Sequence, residues 1–381
     1  MAFATASGID PHQPDGERSK RGVGHSVYNS AHRPQARRLP RPESRNSAVP
    51  LLDGVDTIDC RHDSNGQLIG GSIIVEVMNC SMPPLDPREL GCAPPLGSLS
   101  AVTHFNDLVT RIVAPNPSAM TLDGTNTYLL SSPGSGVCVV IDPGPKLVDH
   151  LERVESEIAN ADAEVAMVLV THHHLDHSAA AKSWAARWGC KVAAHSSEVT
   201  GLEGQVLSGI GQVLKFGALQ IEVVATPGHC ADHLSFRLDG GELFSGDHVL
   251  GRGTSVVTWP DGDLTSYIES LHKLQKLKIA TLFPGHGPEL VEDTPEKVIE
   301  YYLAHRAHRE AQVVKVLGAG PMVVEQIVDA IYVDLKVDLR SAAVQSTRAC
   351  LEKLKMESRV EEYPRSVWNI SKRGPHSAIS K

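Results

Sequence analysis

Thr171-His-His-His-Leu-Asp-His177 decides how this chain reads. It has the pattern T-H-x-H-x-D-H. The run before it, Glu164-Val-Ala-Met-Val-Leu-Val170, has the length and β-branched content of a buried strand. The run after it, Ser178-Ala-Ala-Ala-Lys-Ser-Trp-Ala-Ala-Arg-Trp188, predicts a helix with Ser178 near its start. Three imidazoles and a carboxylate from this motif thus sit on a strand-to-helix turn, and α/β folds place ligands at the carboxyl ends of strands. A solvated histidine-rich turn would explain a lone His-x-His. It does not explain four ligand types within six residues at a strand end, a set that suits zinc or a similar divalent metal.

Similar strand ends follow. Leu219–Ala225 runs into Thr226-Pro-Gly-His-Cys-Ala-Asp-His233, Glu242–Ser245 into Gly246-Asp-His248, and Thr281–Phe283 into Pro284-Gly-His-Gly-Pro288. Four times an apolar strand stops at a Gly- or Asp-containing turn that bears His or Asp. One site assembled by several loops on a rigid scaffold has this signature. His172 and His174 alternate along an extended turn, and His229 can join them at one ion. Asp176 and His177, offset along the motif, face a neighbouring point that His286 can complete. The carboxylate of Asp247 can touch both. Two ions about 3.5–4 Å apart would share Asp247 and a hydroxide, since a divalent metal lowers the pKa of its water to about 7. Asp142, at the end of Gly136–Asp142, reads either as a surface turn residue or as a carboxylate that orients a ligand.

Outward from the motif, Leu108–Val113 predicts a strand, and Asn126–Leu130 with Gly136–Asp142 a hairpin. Leu147–Asn160 reads as an amphipathic helix, Lys191–His195 as a strand, and Leu214–Phe216 with Leu219–Ala225 as a hairpin. Leu234–Leu238 and Glu242–Ser245 flank the turn Asp239-Gly-Gly241. Asp263–Leu277 is a helix with Leu264, Ile268, Leu271 and Leu274 on one face. From Glu296 the pattern turns helical: Glu296–Leu317, Met322–Tyr332 and Arg340–Met356, then a short strand Arg359–Tyr363. Three helices and a strand suit a small winged-helix module, which serves either nucleic-acid contact or packing and homodimer formation.

Composition bounds the rest. The chain has 381 residues, which allows two or three domains. A net charge of −9 and 4 % aromatic content do not advertise a nucleic-acid binder. No apolar run is long enough to span a membrane. The seven cysteines are scattered, with no C-x-x-C pair, and fit free thiols in a reducing compartment. The cytoplasm is the expected location, with the mitochondrial matrix as the alternative. Residues 1–50 are rich in Pro, Ser, Arg and Gly and cannot bury a core. Ser72–Met78 is a plausible short strand, and order is expected to begin near Asp107. The expected division is a mostly disordered extension over 1–104, a catalytic domain over 105–292, a helical winged-helix-like domain over 293–368 and a loose tail over 369–381.

Asp142, the His172–His177 motif, His229, Asp247 and His286 resemble, in order, the five motifs of the metallo-β-lactamase superfamily. That resemblance implies an α/β four-layered αβ/βα sandwich with two divalent metals, Zn2+ foremost and Mn2+ or Fe2+ as alternatives. It places His172, His174 and His229 at the first metal and Asp176, His177 and His286 at the second, with Asp247 bridging. Asp176, Asp247 and His233 are the catalytic candidates. His233 either supports a ligand or gives a proton to a leaving group. Asn116-Pro-Ser118, Met120-Thr-Leu-Asp-Gly-Thr-Asn-Thr127, Leu250-Gly-x-Gly-Thr254 and Pro284-Gly-His-Gly-Pro288 are similar to the lactamase-beta-two-like branch. That branch includes a mitochondrial endoribonuclease. The implied activity is a metal-dependent hydrolase, first an endoribonuclease on single-stranded RNA. The alternative is a thioesterase of the glyoxalase-II kind, acting on a small ester or thioester. A true β-lactamase is disfavoured, because the commonest class has Cys where Asp247 stands. A non-enzymatic binding protein is disfavoured because no ligand position is lost.

Overall fold

The computed structural model describes residues 83–89 and 94–371. The predicted strand Ser72–Met78 and the compositionally biased first fifty residues lie outside them. The first sheet has seven strands in chain order: β1 (Val102–His104), β2 (Val109–Val113), β3 (Asn126–Ser131), β4 (Val137–Ile141), β5 (Glu164–Leu169), β6 (Lys191–Ala194) and β7 (Gln205–Val206). Strands β1 to β4 pair antiparallel. From β4 to β7 the pairing is parallel, across the helices α1 (Val148–Asn160), α2 (Leu175–Ser178), α3 (Ala181–Trp188) and α4 (Ser197–Thr200). The near-continuous apolar sequences of β4 and β5 fit parallel strands covered on both faces.

The second sheet runs β13-β12-β11-β10-β9-β8. Its strands are β8 (Gln212–Phe216), β9 (Leu219–Ala225), β10 (Leu234–Leu238), β11 (Glu242–Gly246), β12 (Thr281–Pro284) and β13 (Leu290–Val291), with α5 (Leu264–Gln275) between β11 and β12. The two sheets bury one core between them. Tyr128, Ile141 and Leu169 from the first meet Ile221, Phe236, Phe244 and Phe283 from the second. On the outer face of the first sheet, Ile112, Cys138 and Val140 pack with Val154 and Trp184 of the helices. On the outer face of the second, Leu243 and Leu282 pack with Tyr267 and Leu271 of α5 and with Val298 and Tyr302 of α6 (Thr294–Leu317). Helices, sheet, sheet and helices make the four layers expected from sequence.

The last segment adds β14 (Met322–Val323), α7 (Val324–Ile331), α8 (Arg340–Met356), β15 (Val360–Tyr363) and β16 (Val367–Ile370). Its three-stranded sheet runs β14-β16-β15.

Four expectations need correction. The helix after the His motif starts earlier, at Leu175, and a two-residue turn at Ala179-Ala180 separates it from α3. Met322 and Val323 form a strand rather than the start of a helix. A second terminal strand, β16, follows β15 through a tight turn in which Arg365 and Ser366 take positive φ, so the segment after Asn369 begins inside a strand. Order also begins before Asp107: β1 pairs with β2, and Arg88 is buried, bonding Asp86 and the Leu250 carbonyl against the rings of Tyr301 and Tyr302. On α5 the Asp263 carboxylate caps the Ser266 N–H at 2.7 Å. The most buried face of α5 includes Tyr267, and Ile268 is only partly covered.

Trp368 of β16 is fully buried, with the Arg348 guanidinium 4.7 Å over its ring. Trp368→Ala is expected to cost about 3–5 kcal/mol in urea unfolding. Leu202→Ala, at a fully exposed side chain, is expected to change stability by less than about 0.5 kcal/mol. Equal effects of the two would refute the packing described for β16.

Candidate metal centre

Every polar turn singled out in the sequence opens on the same edge of the sandwich. His172 and His174 follow β5, His229 follows β9, Asp247 follows β11 and His286 follows β12. Their side chains meet in two sets. His172 Nε2 and His229 Nε2 each lie 3.0 Å from His174 Nδ1. His286 Nε2 lies 3.2 Å from His177 Nε2 and 3.2 Å from Asp176 Oδ2, with Asp176 3.6 Å from His177. Asp247 stands between the sets. Its carboxylate oxygens lie 3.4 Å from His177 and His286 and 3.8 Å from His229.

The outer nitrogen of each ring is already committed. His172 Nδ1 donates to Thr171 Oγ1 at 2.9 Å, and that hydroxyl donates to Asp142 at 2.8 Å. His177 Nδ1 donates to the same Asp142 carboxylate at 2.9 Å. His229 Nδ1 donates to the Val256 carbonyl at 2.7 Å, His286 Nδ1 to the Gly124 carbonyl at 3.1 Å, and His174 Nε2 to Asp261 at 3.1 Å. An imidazole that donates through one nitrogen presents a lone pair at the other. The lone pairs of His172 and His229 therefore point at that of His174 from 3.0 Å, which is repulsive unless a positive charge lies among them. The buried Oδ1 of Asp247 likewise has no hydrogen-bond partner. Five imidazoles and two carboxylates, without a thiolate, fit a pair of borderline or hard divalent cations.

Proton affinities divide along the same line. Burial pushes the His172 imidazole well below its ordinary range and that of His229 down to about 4, so both stay neutral. Burial acts on His177 and His286 in the same direction. It is outweighed by Asp247, Asp176 and Asp142 around His177, and by Asp247 and Asp176 around His286, which rises to about 9. Burial would raise the two carboxyls. The His286 and His177 charges nevertheless hold Asp247 well below the carboxylate range, and His177 and His286 hold Asp176 at about 2. Without cations, protons on His177 and His286 do the balancing.

His233 has another task. Its Nε2 accepts the backbone N–H of Asp247 at 3.1 Å and its Nδ1 faces Thr226 Oγ1 at 2.9 Å. Both nitrogens are used and the ring is buried, an arrangement that suits the supporting role of the two read from sequence, with His233 holding the Asp247 backbone. His173 turns away to Asp232 at 2.8 Å, as its place in the motif suggests. Asp261, Ser255 and Val256 escaped the sequence reading, as did the tethering roles of Thr171 and Gly124, which lie inside quoted motifs. Only Asp261 carried a signal, as the carboxylate of a Pro-Asp-Gly turn. Gly246 and Gly285 serve by lacking a side chain: a Cβ at Gly285 would lie 2.4 Å from Asp247 Oδ1, and one at Gly246, where φ is +49°, would lie 2.7 Å from His233 Nε2.

The description metallo-beta-lactamase superfamily matches residues 120–286, and that of the beta-lactamase-associated winged helix domain matches 324–368. A Drosophila melanogaster protein, beta-lactamase-like protein 2 homolog, is 34% identical over 285 residues, covering 69% of this chain and 92% of its own. This chain belongs to the metallo-beta-lactamase superfamily. Hydrolase chemistry at a centre that typically takes two divalent metals comes with that membership. An atrochrysone carboxyl ACP thioesterase of Aspergillus chevalieri is 30% identical over 263 residues, covering 66% of this chain and 81% of its own. A solved beta-lactamase domain protein from Burkholderia ambifaria shares the superfamily fold. Its TM-score is 0.62 at 21% identity, covering 73% of this chain and 95% of that one.

Two outcomes are expected. In chelator-stripped protein, His286 binds its proton more tightly folded (about 9) than unfolded (6.5). Its contribution is complete below about pH 6.5 and is lost as pH rises through about 9. The thermal midpoint of the stripped protein should therefore fall across that window, and zinc-loaded protein should lack this fall because metal replaces the proton. A flat profile in stripped protein would contradict the proton assignment. Asp142→Asn, which weakens the hold on both His177 and Thr171, should lower metal affinity about 10–100-fold in a competition titration.

Proposed function

We propose that this superfamily hydrolase acts on an acyl thioester. His172, His174 and His229 would hold one ion, Asp176, His177 and His286 the other, and Asp247 both. Two bound divalent ions would supply an acidified water and a positive charge that polarises a carbonyl. The chain's own residues supply orientation. Asp142 and Thr171 fix His172 and His177, the Val256 carbonyl fixes His229, and His233 fixes the backbone of Asp247. Asp176 is the more open carboxylate of the centre, with 31 % of its side chain exposed against 13 % for Asp247. It is the one placed to meet an arriving substrate.

One observation carries the proposal: the two non-ligand imidazoles in ring contact with His172 and His174, those of His233 and His173, already bond elsewhere through both ring nitrogens. The two of His233 face Asp247 N–H and Thr226, and the two of His173 face Asp232 and Asp261. A thiolate leaves without help, since an ordinary thiol has a pKa of about 8.5. An alkoxide, the leaving group of phosphodiester cleavage, gains much more from a proton donor. The neighbouring loops agree. They carry the exposed apolar Met120, Leu175 and Trp259 and the acids Asp232 and Asp261. Among the described residues no Lys or Arg makes an ion pair with a member of the centre, whereas such cations are what hold a nucleic-acid backbone. The similarity to a fungal acyl-carrier thioesterase points the same way.

The test offers zinc- or manganese-replete protein two substrates in parallel. One is an S-acyl N-acetylcysteamine, with the freed thiol trapped by a chromogenic disulfide; the other is a labelled single-stranded RNA. Thioester turnover is expected, with Asp247→Ala at least about a hundredfold slower and still folded by circular dichroism. RNA cleavage that depends on Asp247, with no thioester turnover, would replace the proposal by the endoribonuclease reading.

A further inference from the structure

A cleft of about 250 Å3 lies where the helical segment meets the sandwich, on the outer side of His229. Its walls are apolar, with Leu264, Val313, Ile331 and Leu335 among them, and two guanidiniums line it, those of Arg306 and Arg309. Arg306 is only 5 % exposed. One of its Nη atoms bonds the Ser255 carbonyl, its carbon lies 4.9 Å from the centre of the Tyr267 ring, and its Nε has no hydrogen-bond partner. Arg309 stacks 4.5 Å over Tyr332 and bonds Gln312 at 2.8 Å, and its Nε is also buried without a partner. Among the described residues neither arginine has a carboxylate partner. Glu310, the acid nearest to them in sequence on the same helix, is taken by Lys353 at 2.9 Å and Arg359 at 3.2 Å.

A buried guanidinium without counter-charge is costly, and so is each buried N–H without an acceptor. Both costs vanish if an anion occupies the cleft. Apolar walls with a few convergent polar donors are the general make-up of a small-molecule site, and a guanidinium suits an oxyanion head. The size favours a small molecule over a polymer. The cleft lies just under the usual range of about 300–1,000 Å3 for ligand pockets, and Arg306 is too deeply buried to meet a nucleic-acid backbone.

We infer that this cleft binds a small organic anion: a carboxylate or phosphate head on the two arginines and a short apolar body, about ten non-hydrogen atoms in all, against the helical wall. The site is separate from the metal centre. It borders the Ser255-Val256 segment, whose Val256 carbonyl holds His229, so its occupant also braces a member of that centre.

The test uses full-length protein stripped of metal, so that no metal ion can capture the anionic head. Octanoate, octyl phosphate and inorganic phosphate are titrated calorimetrically. One amphiphile is expected to bind saturably at one per chain, and the tighter of the two identifies the head. Inorganic phosphate should bind at least about tenfold more weakly for lack of an apolar body. Arg309→Gln should weaken the amphiphile by about tenfold or more. Ser346→Leu, which fills the cleft and leaves both arginines in place, should weaken it similarly. Both variants should reload wild-type amounts of metal, which reports a folded chain. No saturable binding of either amphiphile, inorganic phosphate binding as tightly as both, or amphiphile binding unchanged in both variants would overturn the inference.

Discussion

Lone-pair repulsion is the constraint around which this molecule is built. Two imidazole nitrogens face a third from 3.0 Å, and two carboxylates lie within 4 Å of the rings. Left to itself, such a cluster would turn its rings outward. It is held because every ring is tethered from behind by a hydrogen bond to Asp142, Thr171, Asp261, Val256 or Gly124. Those tethers come from both sheets, so the four-layered sandwich does more than bury apolar area. It fixes two groups of loops against each other closely enough that seven side chains stay pointed at one place.

The path of the chain follows from this need. Each ligand turn stands at the end of a strand, and the strand anchors its backbone. The close approach of β11 and β12 brings Asp247 and His286 together across a parallel pair. Glycine is required at 246 and 285 because side-chain atoms of Thr171, His233 and Asp247 occupy the space a Cβ would need. His233 then fixes the Asp247 backbone from below. Its burial and low proton affinity suit that service, since a neutral ring can accept the Asp247 N–H whereas a charged ring has no lone pair to offer.

The sequence made these ligand turns legible because strand ends and ligand types are local signals. The T-H-x-H-x-D-H motif, the Pro-Gly-His turns at 227–229 and 284–286 and the Gly-Asp at 246–247 announce themselves within a few residues. The tethers do not. A backbone carbonyl such as that of Val256 or Gly124 has no sequence identity, and the motif's Thr171 gives no local sign of which groups its hydroxyl will bond. The strands β14 and β16 were missed for a related reason. Two or four residues carry no measurable period, and their pairing partners are distant in sequence. Arg88 lay in a stretch whose composition suggested disorder, yet one buried arginine with a carboxylate, a carbonyl and two rings around it is enough to dock a turn.

The helical segment after residue 293 is tied to the chemistry by a short physical path. Arg306 of α6 bonds the Ser255 carbonyl, and the next residue's carbonyl bonds His229 Nδ1. The Ser255 hydroxyl adds a contact to the same nitrogen at 3.2 Å. The orientation of one imidazole in the centre therefore depends on a residue of the helical segment, and on whatever satisfies the remaining donor of that residue. Removing the segment would expose the outer face of the second sheet, where Leu243, Leu282 and Tyr267 pack, and would free the loop that steadies His229. Stability and ligand geometry are served by one surface, so the helices act as part of the site's foundation whether or not they also contact substrate.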